Sequence, residues 1–421
     1  MKFFLYILSY LLCFNISSAI TIYESINLAI KNSTEVQIEE KKYELAQYSK
    51  AEATTAFLPN ASYGMRKGRR QTSISKYQDK LKEDVKTLTI NQPLFTGFQG
   101  ILKVKEAIYK TAAAQENLNS HKNDIALITA ESYINILKLN KIIEIETEEI
   151  TDYTNLLNLA RKKLELGDLE YSELSKLETQ AQNTILKSEK NKTELRKYEL
   201  NFKILTKQRA QDLSRPLIYS EINNLDDTII LAQKQNPKIK STHQSLKAAQ
   251  TAVLAESGKI LPKVSLSFQN EHQQSSYYFN GEPITNKVIY LDISIPIFQS
   301  GSEYTSIFKL NKQKQIANLE NKLAVEELEN RVREEYVKFT SFKENLAAFQ
   351  DVLKNAVQSL TLAQDRLNKK DLSQMDYLLN KIETSEFEKQ VVDVECEMLL
   401  SWFALQSLIN ELIIWETRLT Q

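Results

Sequence analysis

The sequence predicts a mainly α-helical protein with a small β part, built from a duplicated unit. Three observations support this fold class: a shortage of turn residues, a repeat at constant offset, and apolar residues with two different periods. The 421 residues contain only 8 glycines and 7 prolines, whereas an average protein has roughly 7% glycine and 5% proline. So few turn residues disfavour sandwiches, propellers and Gly-rich phosphate loops, and they favour long uninterrupted helices.

The chain consists of two copies of one unit. Phe57-Leu58-Pro59 resembles Ile260-Leu261-Pro262, and Pro93-Leu94-Phe95 resembles Pro296-Ile297-Phe298, in both cases 203 residues further on. Looking for such repeats comes before assigning elements, because a repeat determines the architecture. We assign residues 20–222 to the first copy and 223–421 to the second. The repeated prolines are expected to mark strand borders; they are Pro59, Pro93, Pro262 and Pro296.

Each copy contains two short segments in which apolar and polar residues alternate, which is the signature of a strand with one apolar face. In the second copy Val264, Leu266 and Phe268 alternate with serines. Each copy also begins with a helix, about 22–56 and 225–259, that ends before a proline. The predicted strands cover about 60–70, 85–96, 263–274 and 287–298. A pair of soluble hairpins packed on a helix is the competing interpretation of so short a pattern.

The remainder of each copy has the heptad period of helices that pack along one another. The spacing 4-3-4-3 predicts helical hairpins over about 98–210 and 301–415, which fold back at Gly167-Asp168 and Lys370-Asp371. Glu146 is the one residue that interrupts the apolar seam of the first hairpin, whose positions are Leu139, Ile143, Glu146, Ile150, Tyr153, Leu157, Ala160 and Leu164. At 1.5 Å per residue each hairpin is on the order of 100 Å long, so lateral partners are implied.

Composition and motifs argue against an enzyme and against a nucleic-acid binder. Lys and Arg together number 54, as do Asp and Glu, whereas a nucleic-acid binder usually has a basic excess. The histidines are too scattered for a metal motif, and neither a nucleophile elbow nor a catalytic carboxylate pair is indicated. We therefore expect no catalytic, cofactor-binding or metal-binding residues, no cofactor and no nucleic-acid partner.

Residues 1–19 have the character of a secretory signal peptide. Lys2 precedes an apolar stretch, and Ser17-Ser18-Ala19 offers small residues for cleavage. After this segment no run reaches the roughly 18 apolar residues of a membrane-spanning helix. We therefore expect an exported protein without a membrane helix, in which Cys396 is the only cysteine and no intramolecular disulfide forms.

Four strands of about ten residues have the length of tilted transmembrane strands, but they cannot close a barrel. Open sheet edges are not tolerated in lipid, and single-chain barrels begin at eight strands. If these strands span a membrane, two chains would supply eight strands and three would supply twelve. The residues expected to face lipid in such a barrel are Tyr63, Leu88, Ile90, Leu266, Phe268, Leu291 and Ile293.

Over nearly its whole mature length the sequence resembles the TolC family of outer-membrane efflux and secretion channels. The resemblance is carried by Leu58-Pro59 and Leu261-Pro262, by the strand ends Gln92–Gly97 and Ile295–Gly301, by the hairpin tip Arg161–Leu174, and by Asn236-Pro237. It implies a homotrimer with a shared twelve-stranded transmembrane β-barrel and a periplasmic α-barrel formed by the helical hairpins. It also implies a location in the outer membrane, a periplasmic adaptor protein and an inner-membrane pump as partners, and drugs, small toxic molecules or polypeptides as cargo.

The same resemblance implies that the hairpin tips close the channel at its periplasmic end. The matching gate candidates are Gly167, Ser172, Glu173, Lys370 and Asp376. Threefold copies of Glu173 and Asp376 would form acidic rings that select cations, while the alternative is that both are solvated charges in a helix turn. Some relatives have an Arg and a Tyr near the second tip, where this sequence has Leu372 and Leu367, and Lys370 replaces a glycine.

One dense basic cluster, Arg66–Arg70, lies at the approximate end of the first predicted strand, on the side of the connection to the second. In the barrel interpretation it falls in an extracellular loop, where lipopolysaccharide phosphates would attract it; a nucleic-acid patch is the alternative. Tyr77 and the segment Tyr277–Phe279 are candidates for interfacial aromatic residues or for covers of a loop base.

The leading functional hypothesis is an outer-membrane exit duct of a tripartite efflux pump or a type I secretion system. The main rival is a periplasmic or secreted coiled-coil structural protein with soluble hairpins. A helical surface adhesin is a third interpretation.

Overall fold

The computed structural model describes residues 20–74, 77–216, 222, 224–275, 282–298 and 301–412. The expected signal peptide 1–19 and the aromatic segment 277–279 lie outside these residues, as does the end of the second predicted hairpin at 413–415. In chain order the described helices and strands are α1 (Ile22–Asn32), α2 (Thr34–Thr55), β1 (Asn60–Ile74), β2 (Tyr77–Thr96), α3 (Gln99–Leu166), α4 (Tyr171–Thr206), α5 (Leu225–Gln235), α6 (Pro237–Ser257), β3 (Lys263–Ser275), β4 (Ile284–Ser294), α7 (Ser302–Asn368) and α8 (Gln374–Leu408).

The chain divides into two compact units. Unit 1 comprises Met1–Gln37, Asn119–Asn236 and Glu326–Gln421, and unit 2 comprises Ile38–Leu118 and Pro237–Val325. All four strands belong to unit 2, whereas both reversals of the helical hairpins belong to unit 1. Among the described helices, none combines the length and the hydropathy that crossing a membrane requires.

The first helix of each copy is broken, and the prediction of one continuous helix is wrong. In the first copy the break is at Ser33, which has extended backbone angles (φ −70°, ψ 121°) and accepts a hydrogen bond from the main-chain N–H of Val36. In the second copy it is at Asn236, before Pro237, where proline lacks an N–H and disfavours a helical preceding residue. Both breaks, and the N-caps Thr21 and Asn224, recur at the offset of 203 residues.

The strands of unit 2 form one antiparallel sheet in the order β1-β2-β3-β4. β1 and β2 are longer than predicted, because their pairing continues from Lys67 opposite Asp84 to Ile74 opposite Tyr77. The stretch before Val85 is charged and lacks alternation, so the pattern indicated a loop although the main chain continues the ladder. β4 covers 284–294 rather than 287–298.

Two of the four prolines lie immediately before strands, and two do not mark the predicted borders. Pro59 precedes β1 and Pro262 precedes β3. Pro93 lies inside β2 instead, where the register with β3 shifts between Pro93 and Phe95. Proline cannot donate to a ladder and is tolerated within a strand at such an irregularity. Pro296 follows the end of β4 by two residues.

The heptad seam of α3 is buried in unit 1, as its spacing predicts. Leu139, Tyr153 and Ala160 are buried, and the alternate seam positions are partly buried. The end of the seam nearest the reversals of the chain belongs to one apolar cluster that joins α3, α4 and α8; its buried members are Tyr153, Leu156, Ala160, Leu174, Leu177, Ala181, Leu378 and Ile382. The end of α3 therefore packs against the starts of two other helices.

In unit 2 the strand–helix junctions meet at a contact between two glycines. Gly97 follows β2 with a left-handed backbone (φ +64°), and a Cβ atom there would lie 2.3 Å from the carbonyl oxygen of Gly258. A Cβ atom on Gly258 would meet the carbonyl oxygen of Gly97 at the same 2.3 Å. Only glycine allows the two backbones this approach.

Gly97→Ala is expected to lower stability far more than Gly301→Ala, although both positions have a positive φ. A Cβ atom on Gly301 meets nothing within 4 Å (φ +74°), so this control carries only the backbone strain of roughly 1 kcal/mol. Gly97→Ala adds a backbone clash and should cost at least about 2 kcal/mol. Apparent melting temperatures from circular dichroism measure both, and equal losses would contradict the close contact.

Candidate functional site

The sheet has an apolar face on which all seven residues predicted to contact lipid lie together. Directly opposed residues of an antiparallel pair project to the same side. Tyr63 is opposite Leu88, Ile90 is opposite Phe268, and Leu266 is opposite Leu291. Ile293, opposite Val264, continues the same face. We call this side of the sheet the apolar face; its exposed members include Tyr63, Leu266, Ile289, Leu291 and Ile293.

The opposite side of the sheet, here called the polar face, is formed mainly by hydroxyl, amide and carboxylate side chains. Ser62, Thr89 and Gln269 stand in one row across three strands. Ser267 Oγ donates to Asp292 Oδ2 at 2.6 Å and is 3.1 Å from Asn91 Oδ1. These hydrogen bonds cross the three strands β2, β3 and β4. The sheet thus separates apolar from polar side chains with the period of two that a strand imposes.

The basic cluster is not in a loop, and that expectation is wrong. Arg66–Arg70 lies within β1, which extends to Ile74. Lys67 and Arg69 fall on the apolar face with Tyr63, while Arg66 falls on the polar face opposite Val85. A run of adjacent charges looks like one patch in the sequence, but a strand sends its members alternately to two sides.

The two hairpin tips in unit 1 reverse the chain by the same device. Gly167 ends the first helix with φ +80° and Lys370 ends the equivalent helix with φ +63°. In each tip the left-handed residue donates to the carbonyl three residues back, and the next residue donates to the carbonyl five residues back. This is the Schellman arrangement, which glycine usually completes. Lys370 adopts the glycine conformation despite its side chain.

The acidic gate candidates occupy equivalent places after these reversals, in the first turns of α4 and α8. Ser373 caps α8: its Oγ accepts from the main-chain N–H of Asp376 at 3.1 Å and donates to Asp376 Oδ2 at 2.6 Å. Carboxylates near a helix N-terminus are favourable for the helix itself. In the first tip Ser172 Oγ donates to Glu170 Oε2 at 3.2 Å.

All five gate candidates are exposed, and the structure holds them in two turns of the same unit. Gly167, Ser172 and Glu173 belong to the first turn, and Lys370 and Asp376 to the second. Leu169 and Met375, from the two turns, both pack against the apolar cluster formed by α3, α4 and α8.

Above this apolar cluster lies a buried polar layer that the sequence did not reveal. Glu146, Glu149 and Asp152 project from one side of α3 and are only 2%, 3% and 5% exposed. Lys389 of α8 is 2.7 Å from Glu149 Oε2, and Lys381 is 2.8 Å from Asp152 Oδ2. Side chains of the second copy therefore neutralise carboxylates of the first.

Glu146 has an amide rather than a lysine as its partner, and only its Oε1 is hydrogen-bonded, since the buried Oε2 has no partner among the described residues. Asn191 of α4 donates to Glu146 Oε1 at 2.8 Å. Burial raises the pKa of Glu146, and the hydrogen bond from Asn191 opposes that rise. For Lys389, burial lowers the pKa but the hydrogen bonds to Glu149 and Glu386 outweigh it, so the net pKa is raised. The interruption of the heptad seam is thus a buried, hydrogen-bonded acid.

Glu146→Gln is expected to remove a pH dependence from the stability of unit 1. Because the pKa of Glu146 is raised from 4.5, the folded state holds this proton more tightly than the unfolded chain. Its contribution to stability therefore falls as pH rises above about 4.5. Amide hydrogen exchange of α3 and α4 at pH 5 and pH 8, corrected for intrinsic rates, should show this fall in the wild type and not in Glu146→Gln.

Glutamine keeps an oxygen that accepts from Asn191, so the variant retains the hydrogen bond. Glu144→Gln serves as the control, because the Glu144 side chain is 62% exposed and pairs with Lys141 on the surface. The argument is wrong if Glu146→Gln and Glu144→Gln leave the same pH dependence of exchange.

Comparisons with known proteins agree with this architecture. The profile of the family described as Outer membrane efflux protein matches residues 25–200 and 228–411, two ranges whose starts are 203 residues apart. Outer membrane efflux protein BepC of Brucella suis biovar 1 (strain 1330) is 18% identical over 265 residues, a match that covers 63% of this chain and 58% of that relative.

Solved structures show the same fold at low sequence identity. The CmeC outer membrane channel of Campylobacter jejuni has a TM-score of 0.76 at 15% identity, with 93% of this chain and 85% of that chain covered. The outer membrane protein VceC of Vibrio cholerae has a TM-score of 0.77 at 15% identity, with 92% and 96% covered. With the family profile matched in both copies, and in agreement with the resemblance read from the sequence, the chain belongs to the outer membrane efflux protein family, whose members are outer-membrane channels and not enzymes.

Proposed function

We propose that the chain is one subunit of a homotrimeric exit duct, which receives cargo through a periplasmic adaptor protein and an inner-membrane pump. The cargo class we favour is small toxic molecules, because the matched family and BepC are both described by the word efflux. Polypeptides exported by a type I system are the second cargo class. A periplasmic or secreted coiled-coil structural protein remains the alternative that the experiments below oppose.

The observation that carries the proposal is the separation of side chains across the four-stranded sheet. A soluble hairpin pair packed on a helix would cover its apolar side, yet Leu291 is 62% exposed and Tyr63 is 63% exposed. An apolar side toward lipid and a polar side toward water is the arrangement of a transmembrane barrel strand. The sheet edges β1 and β4 need partners in lipid, and three copies would supply twelve strands.

A lysine on the apolar face should prevent assembly in the membrane, whereas a lysine on the polar face should not. Leu291→Lys places a charge where lipid is proposed, at a cost of about 2–4 kcal/mol near the bilayer midplane. Ser265→Lys is the matched control, because it introduces the same residue on the adjacent strand, opposite Asp292. Particle imaging of detergent-extracted protein should show threefold particles for the wild type and Ser265→Lys, and few for Leu291→Lys.

Equal assembly of the two lysine variants would contradict the barrel and favour the coiled-coil alternative. Wild-type particles without threefold symmetry would contradict the trimer. Membrane fractionation of the same cells separates failure to insert from failure to extract.

Neutralising the two tip acids together is expected to reduce the cation preference of the channel several-fold. Glu173→Gln with Asp376→Asn removes two charges per subunit, and threefold rings of carboxylates favour cations. The asparagine side chain introduced by Asp376→Asn keeps an acceptor for Ser373, so the helix cap survives. Reversal potentials in planar bilayers under a salt gradient measure the preference.

The matched control for this variant is Glu189→Gln with Glu194→Gln. These two glutamates form surface pairs with Lys192 and Lys197 on α4. Unchanged currents in the tip variant would remove Glu173 and Asp376 from the conduction path and leave them as ordinary helix-cap charges.

A further inference from the structure

The basic residues of the sheet are unevenly shared between its faces. Lys67 and Lys86 lie on the apolar face, in adjacent rows of the β1–β2 ladder. Lys287 of β4 lies in the row of Tyr63, Leu88 and Asn270, next to the row of Lys86. Arg69 follows one row beyond Lys67. We call these four residues, Lys67, Arg69, Lys86 and Lys287, the cationic belt.

The carboxylates of the sheet are concentrated on the other side. Glu83, Glu271 and Asp292 all lie on the polar face. Among the described residues of the strands, Asp84 is the one carboxylate on the apolar face, 3.6 Å from Lys67 Nζ. The polar face has the cations Arg66 and Lys263. Positive charge is therefore concentrated on the face that carries the apolar side chains. Charged side chains that only needed water would be expected on the polar face instead.

The belt has a defined position along the strands. The apolar rows run from Val264 and Ile293 to Tyr63 and Leu88, three steps of two residues, or about 20 Å at the rise of a strand. This compares with the roughly 25 Å apolar band of outer-membrane barrels. The belt begins where the apolar rows end, toward the β1–β2 turn, and exposed Tyr63 stands at the boundary as interfacial aromatic residues do.

Lysine and arginine at the border of an apolar band meet the head groups of the lipid rather than its chains. Such side chains extend along apolar surface and keep their charged ends at the interface. An anionic head group attracts each nearby cation, and phosphate is a group with which lysine and arginine form strong, charge-assisted hydrogen bonds. The end of the sheet that carries the belt is the end of the hairpin turns, opposite the ends that continue into α3 and α7.

We infer that the cationic belt is a binding site for the phosphate groups of lipopolysaccharide in the outer leaflet. This inference rests on the proposed function, because it needs the apolar face to contact lipid with the hairpin turns outside. The apolar rows contact acyl chains while Lys86, Lys287 and the β1 cations pair with the phosphates of the sugar head group.

The test compares two charge-matched double variants of the full-length mature protein in detergent. Lys86→Gln with Lys287→Gln removes two cations from the belt, and Arg66→Gln with Lys263→Gln removes two from the polar face. Binding of bisphosphorylated lipid A is measured by native mass spectrometry. We expect the belt variant to bind about 30-fold more weakly, the effect of two lysines at an anionic lipid surface, and the control variant to bind like the wild type.

Three further probes identify the ligand. Lipid A without phosphates should bind the wild type as weakly as bisphosphorylated lipid A binds the belt variant. Phosphatidylglycerol should bind more weakly than lipid A, and inorganic phosphate at the same concentration should not compete. Lys86→Arg with Lys287→Arg should restore binding, because charge and donors are kept.

Equal weakening in both double variants, or an unchanged affinity in the belt variant, would overturn the site. Equal binding of phosphatidylglycerol, or competition by inorganic phosphate, would overturn its assignment to lipopolysaccharide. Conductance of every variant in planar bilayers keeps this result separate from the proposed function. If the wild type forms channels but the belt variant binds lipid A as the wild type does, only the belt is rejected. If the wild type forms no channels, the proposed exit duct is rejected.

Discussion

A helix of 68 residues such as α3 presents a long apolar stripe that it cannot bury by itself. In unit 1 that stripe is covered by α4 from its own copy and by α8 from the other, and the buried cluster near the tips contains side chains of all three helices. The buried carboxylates on the same side of α3 also need partners from another helix, and Lys381 and Lys389 of α8 supply them. Burial of α3 therefore requires helices from both copies, and neither copy could form the core of unit 1 alone.

In contrast to the buried stripe of α3, the sheet of unit 2 has an apolar face that the chain itself does not cover. Its apolar face keeps Leu266, Leu291 and Ile293 exposed within the chain, so the surroundings of the protein must cover them. The polar face satisfies itself through contacts such as Ser267 with Asp292. In the proposed exit duct, lipid covers the apolar face that the chain leaves exposed, and water contacts the polar face.

The fold class, the offset of 203 residues and the α3 seam could be read from the sequence, because periodicity and repetition are local properties of the pattern. The buried state of Glu146 could not, since its partner Asn191 is 45 residues away and a seam interruption alone resembles a surface charge. Pro93 inside β2 and the two-sided basic cluster were missed for a related reason. Both depend on strand register, which the neighbouring strand sets. The lysine at the second tip adopts the backbone of the glycine it replaces, which its residue type argues against.

The corresponding long helices differ by a single residue, with 68 in α3 and 67 in α7, and α4 and α8 have 36 and 35. Lys389 and Lys381 of one hairpin lie opposite their carboxylate partners on the other, so the two hairpins must keep the same alignment along their axes. Inserting one heptad into one hairpin would slide every partner by about 10 Å, which separates each ion pair and misaligns the seam. The lengths of the two helical hairpins are therefore coupled. The hairpins can be lengthened or shortened only together, in steps of whole heptads.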